Sequence, residues 1–103
     1  MKKVIISNEA PAAIGPYSHA ILTDNIAFLS GQIPLDPSTG KLVEGGIEEQ
    51  TVQVLKNISA ILNTAGLTFD NVIKTTVFLS DLANFKTVNE IYGKYFTSDC
   101  PAR

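Results

Sequence analysis

Tryptophan is absent from this 103-residue chain, and cysteine, histidine and arginine occur once each, as Cys100, His19 and Arg103. A single cysteine excludes an intrachain disulfide and any cysteine cluster for a metal. A single histidine excludes sites built from several imidazoles; no metal and no other cofactor is expected. Basic charge is scarce too. Eight cations stand against ten acids, for a net charge of −2, and only Lys2 and Lys3 are adjacent. A nucleic-acid binder needs a basic track to displace counterions from phosphates, so nucleic acid is not an expected partner. Long apolar runs are missing as well: Val4-Ile5-Ile6 gives way at once to Ser7-Asn8-Glu9. That run is too short for a signal-peptide core, and no stretch is long enough to cross a bilayer. The expected setting is the cytoplasm, with no membrane partner.

Strong catalytic signatures are also lacking. Gly45-Gly46 is not followed by the lysine and hydroxyl that complete a phosphate loop. No third group is placed with a serine and His19 to define a triad. His19 reads as an ordinary hydrogen-bonded or solvated histidine, and Cys100 as a bystander whose neighbour Asp99 disfavours a thiolate. Glu48-Glu49 suits the start of a helix better than acid–base work. Tyr92 and Tyr95 read as core or interface residues rather than a stacking platform.

What is present is a patterned, globular composition, 45% hydrophobic and 17% charged, of a length that makes one domain over residues 1–103. Val4-Ile5-Ile6 predicts a strand. Two apolar segments, Tyr17 to Leu22 and Ile26 to Ser30, flank the turn residues Thr23-Asp24-Asn25 and predict a hairpin. The irregular stretch from Ala10 to Pro16 holds two prolines and a glycine, and Pro37-Ser38-Thr39-Gly40 is a further turn. From Ile47 the apolar period becomes helical, through Val54, Leu55, Ile58, Ile61 and Leu62, with Gly66 as the expected stop. Asn71 to Ser80 alternates as a strand. Asn84 is the expected cap of a second helix carrying Phe85, Val88, Tyr92 and Tyr95 on one stripe.

The order β-ββ-α-β-α predicts an α+β fold, one mixed sheet with two helices packed on one face. Nothing in a chain of this length remains to cover the other face, so a partner subunit is expected there. Arg103 stands apart as the lone guanidinium among seven lysines. A solvated surface residue is its ordinary reading.

Several segments together give Arg103 a different reading. The runs Ala10-Pro11-Ala12-Ala13-Ile14-Gly15-Pro16-Tyr17-Ser18 and Leu29-Ser30-Gly31-Gln32-Ile33-Pro34 come first. Thr76-Val77-Phe78-Leu79-Ser80-Asp81-Leu82, Val88-Asn89-Glu90-Ile91-Tyr92 and Pro101-Ala102-Arg103 follow. In that order, and through essentially the whole chain, they resemble the signatures of the RidA/YjgF family. The resemblance implies a chorismate-mutase-like, trimer-forming α+β fold with three ligand sites in clefts between subunits. It implies a metal-independent 2-iminobutanoate/2-iminopropanoate (enamine/imine) deaminase, which hydrolyses reactive imino acids to 2-oxo acids and ammonia. Small 2-imino and 2-oxo carboxylates would be the ligands. Arg103 would be the catalytic arginine that grips the substrate carboxylate, with Tyr17, Ser30, Gly31 and Asn89 lining the same cleft. An arginine fork matches a carboxylate bidentately. An imino acid hydrolyses unaided, so holding it and placing a water is most of the task.

Family members continue past Pro-Ala-Arg for two further strands and a turn, on the order of 20 residues. That stretch holds a glutamate that orients the attacking water and another cysteine near the site. The expectation is therefore a shortened version of a longer chain, with an uncovered sheet edge. A different class of function uses the same cleft: a non-catalytic trimer that binds a small metabolite and regulates a partner. An RNA-cleaving or translation-inhibiting activity, reported for some relatives, fits poorly with the acidic charge balance.

Overall fold

Three four-residue strands pair in sequence order to form the laddered sheet of the computed structural model, which describes residues 1–103. They are β1 (Lys2–Ile5), β2 (Ala20–Thr23) and β3 (Ile26–Leu29), antiparallel throughout. The β2–β3 turn is Asp24-Asn25, and Asp24 takes the left-handed conformation (φ 51°) that aspartate tolerates better than most residues. Alternation puts Ile5, Ala20 and Leu29 in one row across the sheet and Val4, Ile21 and Phe28 in the next, on the opposite face.

The first row faces α1 (Ile47–Thr64), where Ile5, Ala20 and Ile61 share a buried cluster with Leu29 packed against it. Burying such side chains stabilises by about 1.5–3 kcal/mol each. Helix α1 starts where expected, with Glu48 and Glu49 in its first turn and the Glu49 carboxylate accepting from the Gly46 N–H at 3.3 Å. It stops where expected too. Gly66 is left-handed (φ 77°), the Leu67 N–H reaches the Leu62 carbonyl at 2.8 Å and the Gly66 N–H the Asn63 carbonyl at 3.0 Å.

The other side of α1 packs on α2 (Phe85–Tyr95). Leu55, Ile91 and Phe96 form a second buried cluster there, joined by Val52, Ile58, Phe69, Val72, Tyr92 and Tyr95. Helix α1 is thus the spine between sheet and second helix, and the α+β architecture with its helices on one side of the sheet stands.

Two expectations need correction. The segment expected as a strand from Asn71 to Ser80 forms no ladder: Asn71 ends a 3₁₀ turn over Phe69–Asn71, and the one bridge beyond it is the parallel contact of Lys74 with Ala102. A strand exists only where a neighbour supplies hydrogen bonds, and here that neighbour is the short segment ending in Arg103. That bridge lies outside the three-stranded sheet, whose ladders are all antiparallel, so the described sheet is not mixed. Nor does the Asn84 side chain cap α2. A 3₁₀ turn over Leu82–Asn84 precedes the helix, and the Asp81 carboxylate caps that turn, accepting from the Ala83 N–H at 2.9 Å.

The outer sheet face is apolar and open: Phe28 is 62% exposed, and Val4 and Ile26 each 49%. Only 13 of 103 residues are buried, a thin core for a chain of this length.

Candidate functional site

The irregular stretch after β1 is fixed by the imidazole of His19, which is buried at the start of β2. Its Nδ1 accepts the Ser7 N–H at 2.9 Å, so the proton sits on Nε2, which donates to the Pro11 carbonyl at 2.8 Å. Ser7, also buried, donates from Oγ to the Ala60 carbonyl on α1 at 3.3 Å and accepts from the Glu9 N–H at 3.2 Å. Backbone at both ends of the Ser7–Pro11 segment is therefore tied to β2 and α1. The expectation of an ordinary hydrogen-bonded histidine holds.

Tyr17 emerges from this stretch half exposed and folds back on it. Its hydroxyl oxygen accepts the Ile14 N–H at 3.4 Å, and its own N–H reaches the Gly15 carbonyl at 2.9 Å. Ser30, just past β3, is oriented by the neighbouring backbone: its Oγ donates to the Ser18 carbonyl at 2.7 Å and its N–H to the His19 carbonyl at 3.0 Å. Gly31 follows, exposed. The chain beyond it is held by Asn57 of α1, whose buried amide donates to the carbonyls of Ile33 at 3.2 Å and Leu35 at 3.0 Å. Tyr17, His19 and Gly31, with Pro11, Ile14 and Ile33 among their neighbours, line a recess of about 20 Å³. That is room for about one water, not for a four-carbon acid.

Asn89 lies on α2, and Arg103, beyond the end of that helix, lies against it. The Ala102 backbone bonds to both sides of Lys74, its N–H to the Ile73 carbonyl at 3.0 Å and its carbonyl to the Thr75 N–H at 2.9 Å. This docks the Arg103 side chain across the face of α2 that carries Phe85, Asn89 and Tyr92, residues spaced four and three apart on one side of a helix. The guanidinium carbon stands 4.8 Å from the Tyr92 ring centroid and 5.7 Å from that of Phe85. No hydrogen bond or ion pair to protein engages its N–H groups. Tyr92 packs against the second core cluster, in line with the core reading from sequence, and its ring also faces the Arg103 guanidinium. The signal was its position three residues beyond Asn89, on a face shared with the one arginine's neighbours.

The five residues singled out by the family resemblance form two groups within the chain, Tyr17-Ser30-Gly31 near the hairpin and Asn89 of α2 with Arg103 against that helix, with no hydrogen bond between them. Cys100 belongs to neither; it is exposed, with its Sγ directed at the Phe96 carbonyl at 3.5 Å. No three His, Cys, Asp or Glu side chains converge as a metal set. No helix is long and apolar enough to cross a membrane.

Comparison with known proteins matches residues 7–103 to the family described as Endoribonuclease L-PSP. The chain is 54% identical over 103 residues to the Homo sapiens protein named 2-iminobutanoate/2-iminopropanoate deaminase, covering all of this chain and 75% of that one. Among solved structures it is similar to a Rid-family protein from Yersinia pestis, with a TM-score of 0.97 at 53% identity, covering 100% of this chain and 82% of that one. It is also similar to the YjgF gene product of E. coli, with a TM-score of 0.92 at 43% identity, covering 98% and 81%.

Proposed function

We propose an imine deaminase, on the premise that this chain belongs to the RidA/YjgF family, whose model bears the description Endoribonuclease L-PSP. The substrates are small 2-imino acids such as 2-iminobutanoate, and the products are the 2-oxo acid and ammonia. Water adds its oxygen to the imine carbon while the nitrogen takes up a proton. The resulting carbinolamine then collapses to the ketone, expelling ammonia with the second transferred proton.

The observation that carries this reading is the free guanidinium of Arg103, held on aromatic faces beside Asn89 with its N–H fork open. A carboxylate is the planar anion that fits such a fork through two parallel bonds. Chemistry at the adjacent carbon then needs positioning more than a strong acid or base. The 54% identity with a named imine deaminase, over all of this chain and 75% of that one, supports the same conclusion.

The site is completed between subunits of a homotrimer. The water-sized recess beside Tyr17 and Gly31 and the separation of that group from Arg103 support this, as does the open apolar row on the sheet. A second copy supplies what one chain lacks. The trimer acts in the cytoplasm on metabolites released there, without a metal. A charge of −2, with Arg103 as the sole arginine, gives no track for RNA. The test is a coupled assay in which a threonine dehydratase generates 2-iminobutanoate and ketoacid formation is followed. Acceleration by this protein is the expected result. Binding of 2-oxobutanoate without acceleration would instead favour the metabolite-binding regulator.

A further inference from the structure

The aromatic ring beneath Arg103 is not a passive neighbour. Tyr92 is fixed on three sides: its ring stacks on Phe96 (centroids 4.4 Å apart, planes at 30°), its hydroxyl pairs with the Thr75 Oγ1 at 2.8 Å, and its helix packs on α1. Thr75 is also the residue whose N–H bonds to the Ala102 carbonyl. One residue therefore ties down both the arginine's backbone and the ring under its side chain. The guanidinium rests on that ring at 4.8 Å and makes no polar contact with the protein. An arginine has several rotatable bonds, and an exposed one samples many rotamers. A ring face with negative electrostatic potential favours the rotamer that lays the cation on it, and it does so without occupying an N–H donor.

We infer that Tyr92 is a positioning residue for the reaction: its π face holds the Arg103 guanidinium so that the N–H fork stays open toward a substrate carboxylate. The inference rests on the reading of Arg103 as the carboxylate clamp. An ion pair with Asp or Glu would hold the arginine equally well, but it would use the donors the substrate needs. A ring holds the cation from the face and leaves the edge free. Preorganisation of this kind lowers the cost of binding rather than adding a contact to the ligand.

The test separates ring electrostatics from ring shape. In the full chain, Tyr92 is replaced by phenylalanine, by pentafluorophenylalanine and by leucine. The affinity for 2-oxobutanoate is measured by calorimetry against that for its neutral amide, with turnover of 2-iminobutanoate measured in parallel. Tyr92→Phe keeps the π face but loses the bond to Thr75, so it serves as the reference against which the fluorinated ring is read. The fluorinated ring keeps the packing but cancels the negative face; it should weaken 2-oxobutanoate about two- to fivefold, the size of an exposed cation–π contact. Neutral-amide affinity should not change, and the turnover loss should lie mainly in KM. In an Arg103→Ala background the fluorinated ring should have no further effect. Should Tyr92→Leu disturb the Phe96 stack and unfold the chain, the fluorinated variant still decides. Equal carboxylate affinity for the phenylalanine and pentafluorophenylalanine variants overturns the inference. If Arg103→Ala itself leaves 2-oxobutanoate binding unchanged, it is the carboxylate-clamp reading that fails.

Discussion

The Ser7 N–H donates to Nδ1 of His19 across twelve residues of sequence, at 2.9 Å and out of contact with water. Together with the Nε2 bond to Pro11, this makes the single histidine a strut for the loop from which Tyr17 emerges. His19→Leu fills the space but leaves the Ser7 N–H and the Pro11 carbonyl without partners. Each buried orphan costs about 1–3 kcal/mol. The expected outcome is a destabilisation of about 2–6 kcal/mol by urea unfolding, with His19→Gln milder because an amide can both donate and accept. A His19→Leu protein as stable as wild type would show that the strut contributes nothing.

Arg103→Ala is expected to lower kcat/KM at least tenfold, up to about a hundredfold, since charge-assisted hydrogen bonds contribute about 1.5–3 kcal/mol. Arg103→Lys should recover little, because an ammonium cannot form two parallel bonds to a carboxylate. Arg103 is exposed, so circular dichroism should be unchanged. Near-wild-type hydrolysis by folded Arg103→Ala would return this residue to the solvated surface.

Much of the architecture was legible because it is written locally. The 3.6-residue period from Ile47, the acidic first turn and Gly66 fix α1 without outside help, and Asp24 between two apolar runs fixes the hairpin. Asn71 to Ser80 alternates like a strand yet forms no ladder, because alternation marks only which side chains could share a face. Whether a ladder forms depends on a neighbour elsewhere in the chain, and Ala102 is all that reaches it. The site residues came from the family resemblance rather than from spacing. Chemistry alone left Arg103 a surface residue, and the role of Tyr92 appears only once Ala102 docks beside Thr75 and brings the guanidinium over the ring.

The open sheet row gives a prediction of assembly. Val4, Ile21 and Phe28 stand side by side in register on the outer face, with Phe28 the most exposed of the three. Phe28→Glu puts a charge where a subunit interface would desolvate it, at a cost of several kcal/mol. Sedimentation equilibrium should find wild type as a trimer and Phe28→Glu shifted toward monomer, with imine hydrolysis lost alongside. A wild-type monomer at micromolar concentration would defeat the intersubunit site.

Metal removal should change nothing. One histidine and one exposed cysteine cannot furnish a three-ligand centre with soft donors. Dialysis against EDTA, then assay with and without added zinc or magnesium, should give equal turnover of 2-iminobutanoate. Activity lost to the chelator and restored by one metal would require a different mechanism.

The two-group arrangement of the site permits a complementation experiment. If Tyr17 and Arg103 serve the same cleft from different subunits, each substitution disables every site of its own homotrimer. Mixing changes that. Tyr17→Ala chains and Arg103→Ala chains are unfolded together in equal amounts and refolded. At some clefts an intact Tyr17 from one chain then meets an intact Arg103 from the next. Random assembly of a closed ring makes about one cleft in four intact in this way. Hydrolysis should therefore rise to about a quarter of wild type, above the residue of about a tenth or less expected of the Arg103→Ala parent. Simple mixing without unfolding should stay silent until subunits exchange. A site contained in one chain cannot be repaired by either route, because every chain carries one of the two lesions. Activity in the co-refolded sample would put Tyr17 and Arg103 of one cleft on different subunits, and silence there would overturn the proposed intersubunit site.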